Sequence, residues 1–312
     1  VTDLRFGIAL WPQQTAWRSL LNAARLVDTL GYDTLWTWDH LYSDTGPPDQ
    51  PIFEGWTTLG AWATATEHVQ LGLMTGANTF RTPGLVAKSA ITLDHASGGR
   101  AILGMGGGWF QLEHEAYGIA FGASAGERLA WLDESVGIMR RLLDGETVTH
   151  DGSHYRTNDL ALHPGAVQLR LPILIGGLGE RKTLRTVAMY ADMWNAIRRP
   201  VDELRHKIAV LEAYGEVVKR DTSRIERTLY LAVLIRDDAQ EARRVYAEAM
   251  AANGAAAARV ERAWCGPPEM IAQEMHAYSE IGFRHFIVDV PAPHDHETIE
   301  RLIGEVKPLL NG

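Results

Sequence analysis

The sequence predicts an α/β fold, a (β/α)8 (TIM) barrel, on three observations. Short apolar runs recur eight times along the chain. Segments of helical period separate them. The runs are almost continuously apolar, as the strands of a parallel sheet covered by helices must be.

The runs occupy residues 5–10, 34–38, 69–75, 101–105, 172–175, 193–197, 228–235 and 285–290. Each is too short for a free-standing helix, and most are rich in β-branched, leucine or aromatic residues. After the first run, Thr15 is placed to cap a helix with Trp17, Leu20, Leu21, Ala24 and Val27 on one face and Gly31 beyond its end. Pro83 suits a first helical turn; Val86, Ala90 and Leu93 follow, and Gly98-Gly99 is the stop. A further helix is expected over 127–143. Residues 147–171 read as an insertion before the fifth strand, where Asp151-Gly152 between β-like flanks signals a tight hairpin. Helices are then expected over 182–190, 201–219, 239–252, 268–281 and 296–310. The Ala-rich stretch 251–263 is open between helix continuation and a mobile loop. A weak repeat supports the alternation: Leu30-Gly31-Tyr32 leads into the second run and Ile281-Gly282-Phe283 into the eighth. A doubly wound open sheet would place a glycine cluster after its first strand, where this chain has Trp11-Pro12-Gln13-Gln14. No stretch has linker composition, so the expectation is one domain over 1–312.

Composition narrows the function. The chain has 312 residues, 46% hydrophobic and 22% charged, as a packed globular protein has. Thirty Lys and Arg against 39 Asp and Glu give a net charge of −9, the wrong sign for neutralising nucleic-acid phosphates. The single cysteine, Cys265, excludes an internal disulfide and a Cys-rich metal centre. The start, Val1-Thr2-Asp3-Leu4-Arg5-Phe6, reads as the opening of a strand, and no apolar run reaches membrane-spanning length. The expectation is a soluble cytoplasmic protein acting on a small molecule, without nucleic-acid or membrane partners. A homodimer is also expected, through apolar helix faces at 136–143 and 204–211.

In such barrels the active site gathers where strand C-termini feed the βα loops. That rule selects Trp11; Trp38-Asp39-His40; Met74-Thr75-Gly76-Ala77-Asn78; Gly106-Gly107-Gly108-Trp109; Gly176-Gly177-Leu178-Gly179; Trp194-Asn195; and Asp289 with His294 and His296. Rings and glycine-rich turns with few charges suit a flat aromatic ligand and an uncharged substrate. The glycine loops match neither the G-x-G-x-x-G nor the P-loop spacing. They serve either as tight βα turns or as cradles of bare N–H groups for an anion, with Arg181 adding charge. His40 shares a strand face with Trp36 and Trp38, and is either a proton-handling imidazole at a pocket rim or a histidine satisfied by a neighbour. Trp11, Trp38, Trp109 and Trp194 all fall near strand ends, which core filling alone does not require. His150 and His154 flank the hairpin turn and are expected to be solvated. No histidine spacing makes a convincing metal site.

Several stretches together resemble luciferase-like flavin- and deazaflavin-dependent oxidoreductases: Asp39-His40, Asn78-Thr79-Phe80-Arg81-Thr82-Pro83, residues 104–119, Gly126-Glu127-Arg128 and residues 172–177. The resemblance runs through most of the chain and is strongest over 5–200, toward the branch that uses coenzyme F420, an 8-hydroxy-5-deazaflavin. It implies hydride transfer at the deazaflavin C5, with Asp39 contacting the ring and His40 beside it as acid/base or hydrogen-bond donor. It also implies a third-strand bulge with a non-prolyl cis peptide, here Met74–Thr75, against which the ring leans, with Ala77 and Asn78 on the same wall. Gly107, Gly108, Gly176, Gly177, Gly179 and Arg181 match segments holding the cofactor tail and phosphate. Trp11, Trp38 and Trp109 would face the substrate. Sugar-phosphate dehydrogenases of the family carry a catalytic glutamate where this chain has Trp109, and an indole cannot exchange a proton. Two alternatives remain: a luciferase-like monooxygenase using reduced FMN and oxygen, and a non-enzymatic deazaflavin-binding protein with a degenerate site.

Overall fold

The computed structural model describes residues 4–311; the opening Val1–Asp3 lies outside them. In chain order the elements are β1 (Arg5–Leu10), α1 (Trp17–Thr29), β2 (Thr34–Thr37), α2 (Gly55–Ala65), β3 (Gln70–Leu73), β4 (Gly76–Ala77), α3 (Pro83–Ser97), β5 (Ala101–Gly106), α4 (Gln111–Tyr117) and α5 (Ala125–Leu143). They continue with β6 (Val148–Asp151), β7 (Arg156–Leu160), β8 (Ile173–Gly176), α6 (Thr183–Tyr190), β9 (Met193–Ile197), α7 (Val201–Val218), β10 (Glu226–Ile235), α8 (Ala239–Ala252), α9 (Ala257–Glu261), β11 (Trp264–Gly266), α10 (Pro268–Ser279), β12 (His285–Val290), α11 (His296–Arg301) and α12 (Lys307–Asn311).

Strands β1, β2, β3, β5, β8, β9, β10 and β12 pair in parallel in that order, and β12 returns to β1, closing the barrel. Inside, Ala9, Trp36, Ile102, Leu174, Met193 and Ile287 form the packed layer on which the C-terminal mouth rests. Outside, α1 buries Leu20, Ala23, Ala24 and Val27. Most apolar residues of 136–143 and 204–211 are likewise buried within the chain: Val136, Met139, Leu142, Leu204 and Leu211 are at most 2% exposed, while Val210 is half-buried and Ala209 exposed.

The third run breaks where it matters. Gly72 pairs with Ile102 and Gly76 with Met105, so β3–β4 carries one residue more than β5 across the same stretch. This is a bulge, and the Met74–Thr75 peptide within it is cis. Gly104 lets the bulge close: a Cβ there would lie 1.9 Å from the Leu73 carbonyl oxygen.

Other expectations need correcting. Ala16, not Thr15, is the cap residue of α1, and no side chain caps it. Helices α2 and α4 are additions; α2 is dense in Thr, Gly and Trp, weak helix formers that burial of Leu59 and Trp62 overrides. Between α5 and β8, β6 and β7 form the expected hairpin, but Asp151 pairs with Arg156, which leaves a four-residue loop rather than a two-residue Asp-Gly turn. The cause is Glu134 on α5, whose carboxylate accepts from the Tyr155 N–H at 2.8 Å, the Ser153 hydroxyl at 2.8 Å and the His150 ring at 3.1 Å. His154 stacks on Trp131 at 3.7 Å. Both histidines help dock the insertion, yet His154 is exposed, as expected, and His150 is half-buried. The Ala-rich stretch is neither alternative: α8 ends at Asn253, and α9 follows Gly254. The last helix divides into α11, a π-turn over Leu302–Val306 and α12. There Pro308 lacks the N–H that regular helix pairing needs.

Candidate active site

A cavity of about 830 Å³ opens at the C-terminal mouth, within the size range of cofactor sites. One wall is almost bare backbone. The Thr75 side chain sits between Gly106 and Gly176: a Cβ on Gly106 would fall 2.3 Å from its Oγ1, and one on Gly176 2.8 Å from its Cγ2. Met74, Ala77, Gly107, Gly108 and Gly177 continue this wall. Gly108 (φ 70°) and Gly177 (φ 133°) adopt backbone conformations that glycine accommodates without strain. The rest of the lining includes a cluster of aromatic rings. Trp11 and Trp38 pack at 4.6 Å, His40 stands edge-on to Trp38 at 6.1 Å, and Trp109 meets His40 at 5.5 Å.

Asp39 follows β2 and is 4% exposed. Arg81 donates to both its oxygens at 2.9–3.0 Å, and the Ala77 N–H donates at 2.9 Å. The carboxylate thereby ties β2 to the bulge. Burial pushes its pKa up to about 6, with Arg81 opposing the rise. His40 faces Glu113 on α4, with Nδ1 3.1 Å from Oε1. Glu113 also accepts from the Leu41 N–H at 2.8 Å. Burial works against a charged His40 ring, but the hydrogen bond and charge of Glu113, aided by Asp44 and Asp39, win and raise its pKa. Its Nε2 has no protein partner among the described residues.

Most of the sequence-selected residues line this cavity; Gly76, Asn78, Leu178, Gly179, Arg181, Trp194, His294 and His296 do not. The Asn78 amide is taken by Ser135 and by the Tyr155 hydroxyl behind the wall. Gly179 packs on Thr183, where a Cβ would meet Oγ1 at 2.9 Å. Arg181 is exposed. Trp194 is fully buried outside the cavity, donating to the Gly177 carbonyl at 2.8 Å. His294 is 9% exposed and meets the Trp11 carbonyl at 3.1 Å; burial pushes its pKa down to about 4. No group of three or more His, Cys, Asp or Glu placed for a metal ion occurs among the described residues. No helix among them is long and apolar enough to cross a membrane.

Sequence reasoning did not find the partners. Glu113 stands 73 positions from His40, and the Tyr230 hydroxyl reaches Asp289 from the middle of β10. Nor did it find the guanidinium groups at the rim: Arg198 and Arg199 after β9, and Arg259 and Arg262 around α9. A family model described as luciferase-like monooxygenase matches residues 4–285. The chain belongs to that family.

A relative from Nakamurella multipartita, named F420-dependent glucose-6-phosphate dehydrogenase, is 28% identical over 97% of this chain and 95% of its own. A solved F420-dependent secondary alcohol dehydrogenase, in complex with an F420–acetone adduct, superposes with a TM-score of 0.84 at 21% identity over 99% of both chains. A monooxygenase from Streptomyces bottropensis has a TM-score of 0.81 at 21% identity over 99% of both chains. These solved structures share the barrel with the family member described here.

Proposed function

We propose that this family member is an oxidoreductase that moves a hydride between coenzyme F420 and a small organic substrate at the barrel mouth. The observation that carries the reading is the stretch of bare backbone around Thr75, lining one cavity together with a cluster of indole and imidazole rings. A side chain at Gly106 or Gly176 would collide with Thr75 and roughen the wall, so the residues present fit a planar tricycle. When bound, the deazaflavin supplies a ring carbon that gives or takes a hydride; the protein's part is positioning, water exclusion and proton handling.

Met74, Thr75 and Ala77 form the face for the ring. Asp39 holds that face in place, and any ring contact it makes is shared with Arg81 and the Ala77 N–H. The N–H groups of Gly107 and Gly108 suit the phosphate tail. The Gly177 N–H is taken by the Asn195 carbonyl at 3.0 Å, so Gly177 contributes bare backbone, while Gly179 and Arg181 lie outside the cavity lining and act on this turn indirectly. His40, its Nδ1 fixed by Glu113, presents Nε2 beside the ring as hydrogen-bond donor or acid/base. Trp11, Trp38 and Trp109 bound the space left for substrate. With Trp109 in the place of a glutamate, that position contributes shape and no proton.

Titration with F420 and with FMN, followed by tryptophan fluorescence, tests the reading. F420 is expected to quench and saturate; tight FMN binding without F420 binding would overturn the assignment in favour of a monooxygenase. His40→Ala should lower turnover by about 10²-fold or more while F420 affinity stays within a few-fold. Equal turnover removes the proton role.

A further inference from the structure

Asp289 ends the inner face of β12, opposite Ala9 and Ala232 of the flanking strands, and is 8% exposed on the cavity wall. Its Oδ1 accepts two hydrogen bonds at 2.5 Å, from the Trp11 indole N–H and the Tyr230 hydroxyl. The Tyr230 oxygen in turn accepts from the Trp38 indole N–H at 3.3 Å. Oδ2 has no protein partner among the described residues. No cation pairs with the group either: Arg259 lies over the Trp11 ring at 5.5 Å and bonds Asp44 at 3.3 Å instead. The other buried aspartate of this cavity, Asp39, is clamped by Arg81. An unpaired buried carboxyl lining a ligand cavity is costly unless it is used.

We propose that Asp289 exchanges a proton directly with the reacting oxygen of the substrate, which is therefore a carbonyl compound or the corresponding alcohol. The inference rests on the oxidoreductase reading above. In the reducing direction a C–H bond forms at the carbonyl carbon as the π bond of C=O breaks. The electron pair freed on oxygen takes the Asp289 proton, and the carboxylate is reprotonated from solvent. The reductant is the reduced deazaflavin, oxidised by two electrons and shedding its ring proton to solvent. Trp11 and Tyr230 aim fixed donors at Oδ1, so the carboxylate left behind is stabilised without rearrangement.

Tyr230 is not the acid. Burial and the neighbouring Asp289 hold its phenol well above its ordinary range. Burial pushes Asp289 up to about 7, with Tyr230 and Trp11 opposing the rise, so both protonation states are available near neutrality. The charged and titratable groups bearing on it are Tyr230 from β10, Tyr246 from α8, Arg259 from α9 and Asp44 from the loop after β2. His40 instead pairs with Glu113 through Nδ1 and stands edge-on to the Trp38 indole at 6.1 Å, so the two proton-handling groups belong to separate hydrogen-bond networks.

The test has three readouts on the full chain. In infrared spectra without cofactor, wild type minus Asp289→Asn, a carboxylic C=O band titrating near pH 7 is expected, since the Asp39 band, titrating at about 6, is common to both and cancels. A difference spectrum without such a band overturns the assignment. F420 quenching should be unchanged within a few-fold in Asp289→Asn; failure of the wild type to bind F420 sinks the underlying reading while leaving the infrared result standing. With reduced F420 and a panel of aldehydes and ketones, wild-type kcat should fall above pH 7. Asp289→Asn should lose about 10²–10⁴-fold and that limb, and Tyr230→Phe should move the limb to higher pH, since a donor to the carboxylate is lost. An F420-binding wild type that reduces no carbonyl, or a limb unchanged in Asp289→Asn, overturns the proposal.

Discussion

Burial drives a carboxyl toward its neutral form, and the cavity of this protein contains two answers to that pressure. Arg81, which also bridges to Glu54 at 2.7 Å, meets the charge of Asp39. Removing one partner of such a pair strands the other, which costs about 3–5 kcal/mol; Arg81→Met should therefore lower the urea midpoint, whereas Asp39→Asn made together with it should restore part of the loss. Asp289 has no such partner. Its folded pKa of about 7 lies above its ordinary 3.8, so it favours the fold only in acid, and that contribution is lost as pH climbs from about 4 through 7. Asp289→Asn should consequently be more stable than wild type at pH 8 by more than about 1 kcal/mol, with the advantage shrinking toward pH 4 in paired urea titrations. An advantage independent of pH would contradict the shift. Asp39, His40 and Asp289 were legible in the sequence because they stand at or just past the ends of apolar runs. Their partners Arg81, Glu113 and Tyr230 were not legible as such: those pairs are made across the fold, where no local period records them.

At the scale of elements, the bulge between β3 and β4 depends on an absent side chain. Gly104→Ala would push a methyl into the Leu73 carbonyl, so a loss of about 2–3 kcal/mol is expected, together with weaker F420 quenching because the wall carrying Thr75 shifts. Quenching equal to wild type would show that the wall tolerates the change. The hairpin is held differently, by one carboxylate. Glu134→Ala should speed amide hydrogen exchange across residues 148–160 while barrel strands keep their protection, and uniform exchange throughout would refute this division. The chain announced its strands better than its helices: each expected strand matches within a few residues, because β-branched and leucine-rich runs are short and continuous. Helix α2 stayed hidden because its residues are poor helix formers and only packing against the barrel makes it helical. The hairpin loop was misjudged because the acceptor that shapes it, Glu134, comes from another element.

For the whole molecule, strand alternation specified closure, since eight parallel strands with covering helices leave no free edge once β12 reaches β1. What alternation could not specify is the distribution of charge. The chain carries −9 in total, yet the mouth gathers Arg198, Arg199, Arg259 and Arg262 in its lining. An uncharged substrate, as the strand-end residues alone suggested, makes no use of that rim, whereas an anionic cofactor such as the proposed F420 suits it. F420 affinity should weaken as KCl rises, and Arg199→Gln with Arg262→Gln should flatten that dependence; an unaltered slope would locate the attraction elsewhere. The two signs also act over different ranges, because dissolved ions shrink electrostatic reach to about 8 Å at physiological strength. An acidic visitor approaching in very dilute buffer meets the repelling body before the welcoming doorway. Its capture rate in stopped-flow should first climb with added salt, as the distant repulsion fades, and then decline once the doorway itself is masked.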